Sequence, residues 1–244
     1  MPALSSLFKE KGDGMIDTKY LSIFCYVLLA VVTLFTGSCT KESPLYECKD
    51  PIGCVAIAPG EPLKIGALQS LSGKTATLGR EQIRGFELAL DDREGQILDH
   101  PVALQIEDTG CTAEGGANAA LKIIADPDHI AIFGTTCSGA AATTSKAMSK
   151  AGLTMVSGNN SAPFLTSVGN TRAPNWQKGY FRTANNEENS GKAAAIYAYT
   201  KLGMRKSASV NDGDIYTKGL TDGFNKAFEF LGGKVVLDAA VNKK

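Results

Sequence analysis

Histidine is scarce in this chain: His100 and His129 are the only two among 244 residues. Little material exists for His-based proton transfer or for a His-rich metal site. Net charge is absent too, with 25 Lys and Arg against 25 Asp and Glu. A nucleic-acid binder shows a basic excess or a basic stripe. Neither is found, so nucleic acid is set aside as a partner. The six cysteines contain no CxxC pair, which argues against a structural zinc site. The chain also lacks GxGxxG, GxxxxGK[ST] and GxSxG. Dinucleotide, P-loop and nucleophile-elbow chemistry each lose their fingerprint. We expect no enzyme, no cofactor and no metal.

What is present begins with an apolar fraction of 43%, enough for a sizeable core, in a length that allows one or two domains. Residues 20–35 read YLSIFCYVLLAVVTLF, without a charge. Lys19 precedes this run and Gly37, Ser38 and Cys39 follow it. That is the signal-peptide order of charged lead, apolar middle and small-residue cleavage site. The run is short for a membrane span, which needs ~20 apolar residues. Met15 is a candidate true start, since it gives the tidy leader MIDTKY. Residues 1–38 are therefore read as a signal peptide. Residues 39–61, with Ser43, Pro44 and Pro62 marking loop chemistry, are read as a flexible tether.

Export favours disulfides. Cys25 would leave with the signal, and Cys48, Cys54, Cys111 and Cys137 remain beyond Cys39. Four cysteines allow three pairings, between which spacing does not choose. Cys48 with Cys54 would close a small loop, and Cys111 with Cys137 would staple two loops of the folded part.

From residue 63 onward the pattern alternates. LKIGALQ (63–69), VALQIED (102–108), HIAIFG (129–134), LTMVS (153–157), SASVND (207–212) and KVVLDAA (234–240) are short apolar runs and read as strands. GYFRTA (179–184) reads as extended. Between them, residues 79–93 place Ile83, Phe86 and Leu90 at helical spacing. Residues 114–125 read as a helix with Leu121, Ile124 and Ala125 inward, and 138–150 as a helix with Ser138 at its N-cap. Residues 187–202 and 216–231 complete the helical set, and 158–175 form a loop. Strands alternating with helices of this length imply an α/β fold with a mainly parallel sheet.

Ligands of such sheets bind beyond the carboxyl ends of the strands. The turns there hold Ser70, Ser72, Thr75, Thr77, Ser138, Asn159, Asn160 and Ser161. Hydroxyls and amides dominate, which suits a small polar solute held by hydrogen bonds and helix N-termini. Acid–base chemistry needs a group that titrates near working pH, and the set offers almost none. Cys137 could be read as a nucleophile, but its candidate base His129 stands ~8 residues back along the same strand, at ~3.3 Å each. Asp212 and Asp214 flank Gly213 and read as turn and capping residues. A calcium site would require more oxygens in register.

These turns carry a resemblance. LKIGALQSLSGKTATLGREQIRGFELALDD (63–92), IEDTGCTAE (106–114), IFGTTCSG (132–139), MVSGNNSAPFLT (155–166), YFRTANNE (180–187) and VNDGDIYTKGL (210–220) together resemble the periplasmic leucine/isoleucine/valine-binding proteins. The resemblance covers nearly all of 63–241. It implies the type I periplasmic-binding-protein fold, with a Rossmann-like parallel-sheet lobe 1 over 62–181 and an incomplete lobe 2 over 182–244. It also implies a disulfide between Cys111 and Cys137. Ser138 would hold a ligand α-carboxylate through its hydroxyl and nearby N–H groups. Gly139 stands where the family has a serine, so one hydroxyl is lost. Asn160 and Ser161 match a pair that holds the carboxylate and ammonium. Tyr216 matches an aromatic that closes over the ligand, and Leu78 replaces an aromatic at the cleft edge.

Thr36-Gly37-Ser38-Cys39 resembles a lipobox, with Thr36 where Leu is usual, and implies lipidation of Cys39. A lipid chain contributes ~0.8 kcal/mol per buried CH2 toward membrane anchoring. The implied function is the extracytoplasmic, membrane-anchored solute-binding component of an ABC importer. Its ligand would be an amino acid, branched-chain by family default, and its partners the permease and ATPase subunits. An amino-acid- or amide-responsive sensor of the same fold is the alternative. Family chains are longer and cross the hinge three times, so the acidic residue that usually pairs with the ligand ammonium is expected beyond Lys244.

Overall fold

The computed structural model describes residues 47–241. The expected signal peptide, Met15, the Cys39 lipidation site and residues 242–244 lie outside the described residues. Among the described residues no helix is long and apolar enough to cross a membrane.

Strand β1 (Leu63–Gln69) sits at the centre of a six-stranded sheet. A 3-10 turn over Gly73–Thr75 runs into helix α1 (Ala76–Asp91). A short hairpin follows, β2 (Gln96–Ile97) antiparallel to β3 (His100–Asp108). Then come α2 (Ala113–Ile124), β4 (His129–Gly134), α3 (Ser138–Ala151) and β5 (Thr154–Ser157). The loop after β5 holds a 3-10 turn at Pro163–Leu165 and a small hairpin, β6 (Ser167–Val168) with β7 (Thr171–Arg172). Strand β8 (Tyr180–Arg182) closes the sheet, whose order is β2-β3-β1-β4-β5-β8. Every pairing in it except β2–β3 is parallel.

Helix α4 (Glu187–Ile196) continues into a π-helical turn at Tyr197–Lys201. It is followed by β9 (Lys206–Asn211), α5 (Ile215–Phe230) and β10 (Lys234–Ala240). Strands β9 and β10 pair in parallel as a separate two-stranded sheet. The switch from one sheet to the other falls just after Arg182.

The first sheet has the larger core, built on Leu68, Ala119, Ala120, Ile123, Ile132, Ala141, Met148, Met155 and Leu165. The second has a small one: Ala195, Ala198 and Phe228, with Tyr199 and Phe224 against it. Phe228 carries that cluster, stacked at 5.4 Å on Phe224 and edge-on to Tyr199 at 5.9 Å. Burying such a ring contributes roughly 1.5–3 kcal/mol.

The expected face of α2 requires correction. Leu121 is 61% exposed and Ala125 is exposed too, whereas Ile124 packs part-buried against the core as expected, and the fully buried residues are Gly116, Ala119, Ala120 and Ile123. The reason is the close approach of α3. A Cβ on Gly116 would stand 2.6 Å from the Ala140 carbonyl oxygen. Thr144 Oγ1 donates to the Gly116 carbonyl at 3.0 Å. The small-residue stripe of Gly116, Ala119 and Ala120 sets which side of α2 meets α3, and Leu121 turns out to solvent. Ser138 also shifts by one place: Cys137 is the N-cap of α3 and Ser138 its first helical residue. The 158–175 loop contains the β6–β7 hairpin, which apolar periodicity does not reveal because both strands are two residues long.

The stretch read as a flexible tether is, over residues 48–54, laid against the amino-terminal ends of the strands. Cys48 and Cys54 are disulfide-linked, with Cα atoms 5.7 Å apart. Lys178 Nζ donates to the Pro51 carbonyl at 2.5 Å, and the Ile52 side chain lies over Gly179.

Ile123→Ala should lower the unfolding free energy by about 2–5 kcal/mol, the usual cost of a large-to-small core change. Leu121→Ala should stay within about 0.5 kcal/mol. Urea denaturation of the two variants checks the corrected face.

Candidate functional site

The carboxyl ends of β1, β3, β4 and β5 converge on a buried polar layer. Asn160 is its centre and is fully buried. Its Oδ1 accepts from the Thr135 N–H at 3.2 Å, and its Nδ2 donates to the Thr135 carbonyl at 2.8 Å. Its own N–H donates to Ser157 Oγ at 3.0 Å, and its carbonyl accepts from Arg182 at 3.1 Å. Tyr180 donates its hydroxyl to Asn160 Oδ1 at 3.3 Å. Burial pushes the Tyr180 hydroxyl pKa well up, so it stays a donor. Nearby, Thr136 donates to Gln69 Oε1 at 2.8 Å and accepts from the Ser70 N–H at 2.9 Å. Buried polar groups are costly without partners, and here the loops after β1, β4 and β5 bond one another, with Gln69 Nε2 left unpartnered among the described residues.

Over this layer lies a cavity of about 500 Å³. One wall comes from the first sheet: Thr75 and Leu78 at the start of α1, Thr136 after β4, Ser138 at the start of α3, and Asn159 and Ser161 after β5. The disulfide between Cys111 and Cys137 lies in the same wall, with Cα atoms 5.2 Å apart. The other wall comes from the segment after Arg182: Asn185, Glu187, Asp212, Asp214, Tyr216 and Thr217.

The start of α3 points into this space. Thr112, Asn186 and Asp214 cap α2, α4 and α5 with side-chain acceptors, but Cys137 makes no such bond. The first N–H groups of a helix have no intrahelical partner and carry the positive end of its dipole. Ser138, 4% exposed, accepts from the Ala162 N–H at 3.2 Å through Oγ, so its own proton is left to donate.

Of the residues singled out from sequence, Ser138, Ser161, Tyr216 and Leu78 line the cavity. Gly139 is not among the lining residues; it lies in the first turn of α3, beside Asp214. Asn160 does not line it. Its backbone and side-chain groups are engaged beneath the floor. Its neighbour Asn159 takes the lining place and donates to the Thr136 carbonyl at 2.7 Å. Cys137 is held in the disulfide, so it offers no thiolate. His129 sits at the start of β4 among residues lining a different pocket. Sequence reasoning had Asp212 and Asp214 as turn and capping residues. They are that: Asp214 Oδ1 accepts from the Tyr216 N–H at 2.8 Å, and Asp212 Oδ1 accepts from the Asp214 N–H at 3.1 Å and from the Thr217 hydroxyl. They also form the acidic wall with Glu187, which sequence reasoning missed. Its position one residue after the Asn186 cap was the available signal, since helix starts gather at such clefts.

The loop under Thr75 is braced by Asp108. Leu71 and Gly110 N–H groups both donate to its Oδ1 at 2.8 Å. Burial opposes the charge, but these bonds and those from Ser72 outweigh it and hold the carboxyl below its ordinary value.

With this geometry the comparisons agree. The chain belongs to the periplasmic binding protein family, whose model matches residues 62–243. A Leu/Ile/Val-binding protein of Rhizobium johnstonii is 31% identical over 194 residues, 77% of this chain and 50% of that one. The Leu/Ile/Val-binding protein of Escherichia coli K12 is 27% identical over 188 residues, 71% and 48% of the two chains. The solved leucine-binding protein of Thermotoga maritima superposes with a TM-score of 0.66 at 24% identity, over 75% of this chain and 50% of that one. A solute-binding protein of an R. palustris ABC transporter, solved with benzoate, gives 0.65 at 24% identity, over 74% and 48%. The architecture is thus that of type I periplasmic binding proteins. The chain spans about half the length of the curated relatives it matches.

A carboxylate with a depressed pKa stabilises above the unfolded-state value of about 3.9 and loses that contribution as pH falls through the folded value. Asp108→Asn should therefore lower the urea midpoint at pH 7. The gap to the parent should narrow as pH falls below about 4 and on through the depressed folded-state value. Urea titrations at three pH values check this.

Proposed function

We propose that this chain is solute-binding material of an ABC importer, forming lobe 1 (62–181) and the beginning of lobe 2 (182–244) around an interlobe cleft. The ligand is an amino-acid-class solute. The observation that carries the reading is the uncapped start of α3, which opens with Ser138 into the cavity opposite a wall of carboxylates. A solute with an anionic and a cationic end meets a complement at each wall. Ser138 and Ser161 supply hydroxyls on the first wall, and Tyr216, 38% exposed, stands as an aromatic cover on the second. The names of the relatives put branched-chain amino acids first among compounds to test. The benzoate-bound neighbour keeps other small carboxylates in the set. Catalysis is no part of this reading: among the described residues, the lining offers no thiolate and no histidine.

The same reading takes the protein as exported and held at the membrane through Cys39, with permease and ATPase subunits as partners. Oxidised Cys111 and Cys137 fit that compartment, and the pair ties the turn after β3 to the start of α3.

Calorimetric titration of the chain against the twenty amino acids and small aromatic carboxylates should give saturable binding by at least one. Ser138→Ala should weaken that binding by about 1–3 kcal/mol, the worth of a hydrogen bond to a charged group. Heat changes with none of the panel refute the reading.

A further inference from the structure

Helix α5 carries part of one wall of the cavity and is also seated on the other. Tyr216 and Thr217 line the cavity from its first turn. On another face of the same helix stand Ile215 and Gly219, four residues apart and so neighbours on its surface. Ile215 packs, partly buried, against the core of the first sheet. Gly219 rests on the ring of Pro163. A Cβ on residue 219 would stand 2.5 Å from Pro163 Cδ and 3.1 Å from its Cγ. Carbon atoms in contact keep about 3.5–4.0 Å apart, so glycine lets the helix come about 1 Å nearer than a side chain would allow.

The contact does not give way easily. The Pro163 ring is closed on its own backbone and has no other rotamer in which to turn aside. Pro163 is buried and begins the 3-10 turn Pro163–Leu165. The residues before it are held as well. Ala162 donates its N–H to Ser138 Oγ at 3.2 Å, and its carbonyl accepts from Arg182 at 3.0 Å. The Ser161 carbonyl accepts from the Glu187 N–H at 2.9 Å. Ser161 lines the cavity two residues before Pro163, and Thr217 lines it two residues before Gly219. The lining of both walls thus leads back to one stop behind the cleft. Glycine in a helix interior is unfavourable to the helix itself, and the close approach to Pro163 is the structural use of this one.

We infer that Gly219, seated on Pro163, is a specificity-determining residue. It sets the distance between the two walls and with it the size of solute that can touch both. A solute that reaches both walls at the present spacing loses one of them when the spacing grows, and a bulkier solute of the same class gains room. This rests on the amino-acid reading above and adds to it a selection by size.

Gly219→Ala adds the missing methyl. Pro163→Ala removes Cγ and Cδ, after which the methyl meets the nitrogen of residue 163 at 3.7 Å, an ordinary contact. The double variant should therefore regain the parent spacing. Gly85→Ala in α1 is the control, since a Cβ there meets nothing within 4 Å among the described residues. Crystal structures of the parent and of Gly219→Ala should show Ser161 and Tyr216 about 1 Å farther apart in the variant. An unchanged separation overturns the inference, whatever the ligand. The twenty amino acids are titrated calorimetrically into the parent and the three variants. Affinity for the parent's tightest ligand should fall about tenfold in Gly219→Ala, the worth of one lost hydrogen bond to a wall. Bulkier members should lose less, the double variant should recover most of the loss, and Gly85→Ala should bind as the parent does. Equal losses for all members, no recovery in the double variant, or the same loss in Gly85→Ala overturns the inference while leaving the amino-acid reading standing. Binding of none of the twenty by the parent defeats that reading, and the two crystal structures then decide the spacing by themselves.

Discussion

The double hydrogen bond between Asn160 and Thr135 is the constraint on which the cleft depends. It ties the loop after β5 to the loop after β4 through two bonds that close on each other, beneath a floor that water does not reach. In such a low-dielectric setting a satisfied polar pair is strong, and an unsatisfied one is costly. Ser157, Tyr180 and Arg182 attach to the same pair and bring in the edge strand. The start of α3 inherits its position from this layer, since Ser138 is itself bonded to Ala162 in the loop that Asn160 fixes.

The disulfide between Cys111 and Cys137 works alongside the polar layer. It holds the turn after β3 against the residue that precedes α3. Cys137, the N-cap of α3, makes no side-chain capping bond, so the start of that helix is left uncapped. What would be a defect at a surface helix becomes, at the mouth of a cavity, a place for hydrogen-bond acceptors.

Much of the fold was legible because the alternation of apolar runs with helical spacings is strong. The strands 63–69, 129–134 and 234–240 match their expected bounds to the residue. The face of α2 was not legible, because packing there is governed by how closely α3 approaches Gly116 and not by which residues are most apolar. The cleft was half legible. Hydroxyls and amides after strands can be read from order alone, and so Ser138 and Ser161 were found. Asn159 and Asn160 are chemically identical, and only the pairing partners show which one faces down. The acidic wall was hidden for a related reason: an N-capping aspartate and a cleft-lining aspartate have the same local sequence, and Asp214 is both.

The two walls differ in what stands behind them. The first rests on a wide core, the second on little more than Phe228 and two alanines. Local opening follows the amount of buried apolar contact, so the acidic wall belongs to the part of the chain that yields first. A solute touching both walls would bind only when that thinner part is ordered, and mass action would then charge its ordering to the solute. Occupancy would be felt as cooperativity: two segments that open separately when the cleft is vacant would open as one when it is filled.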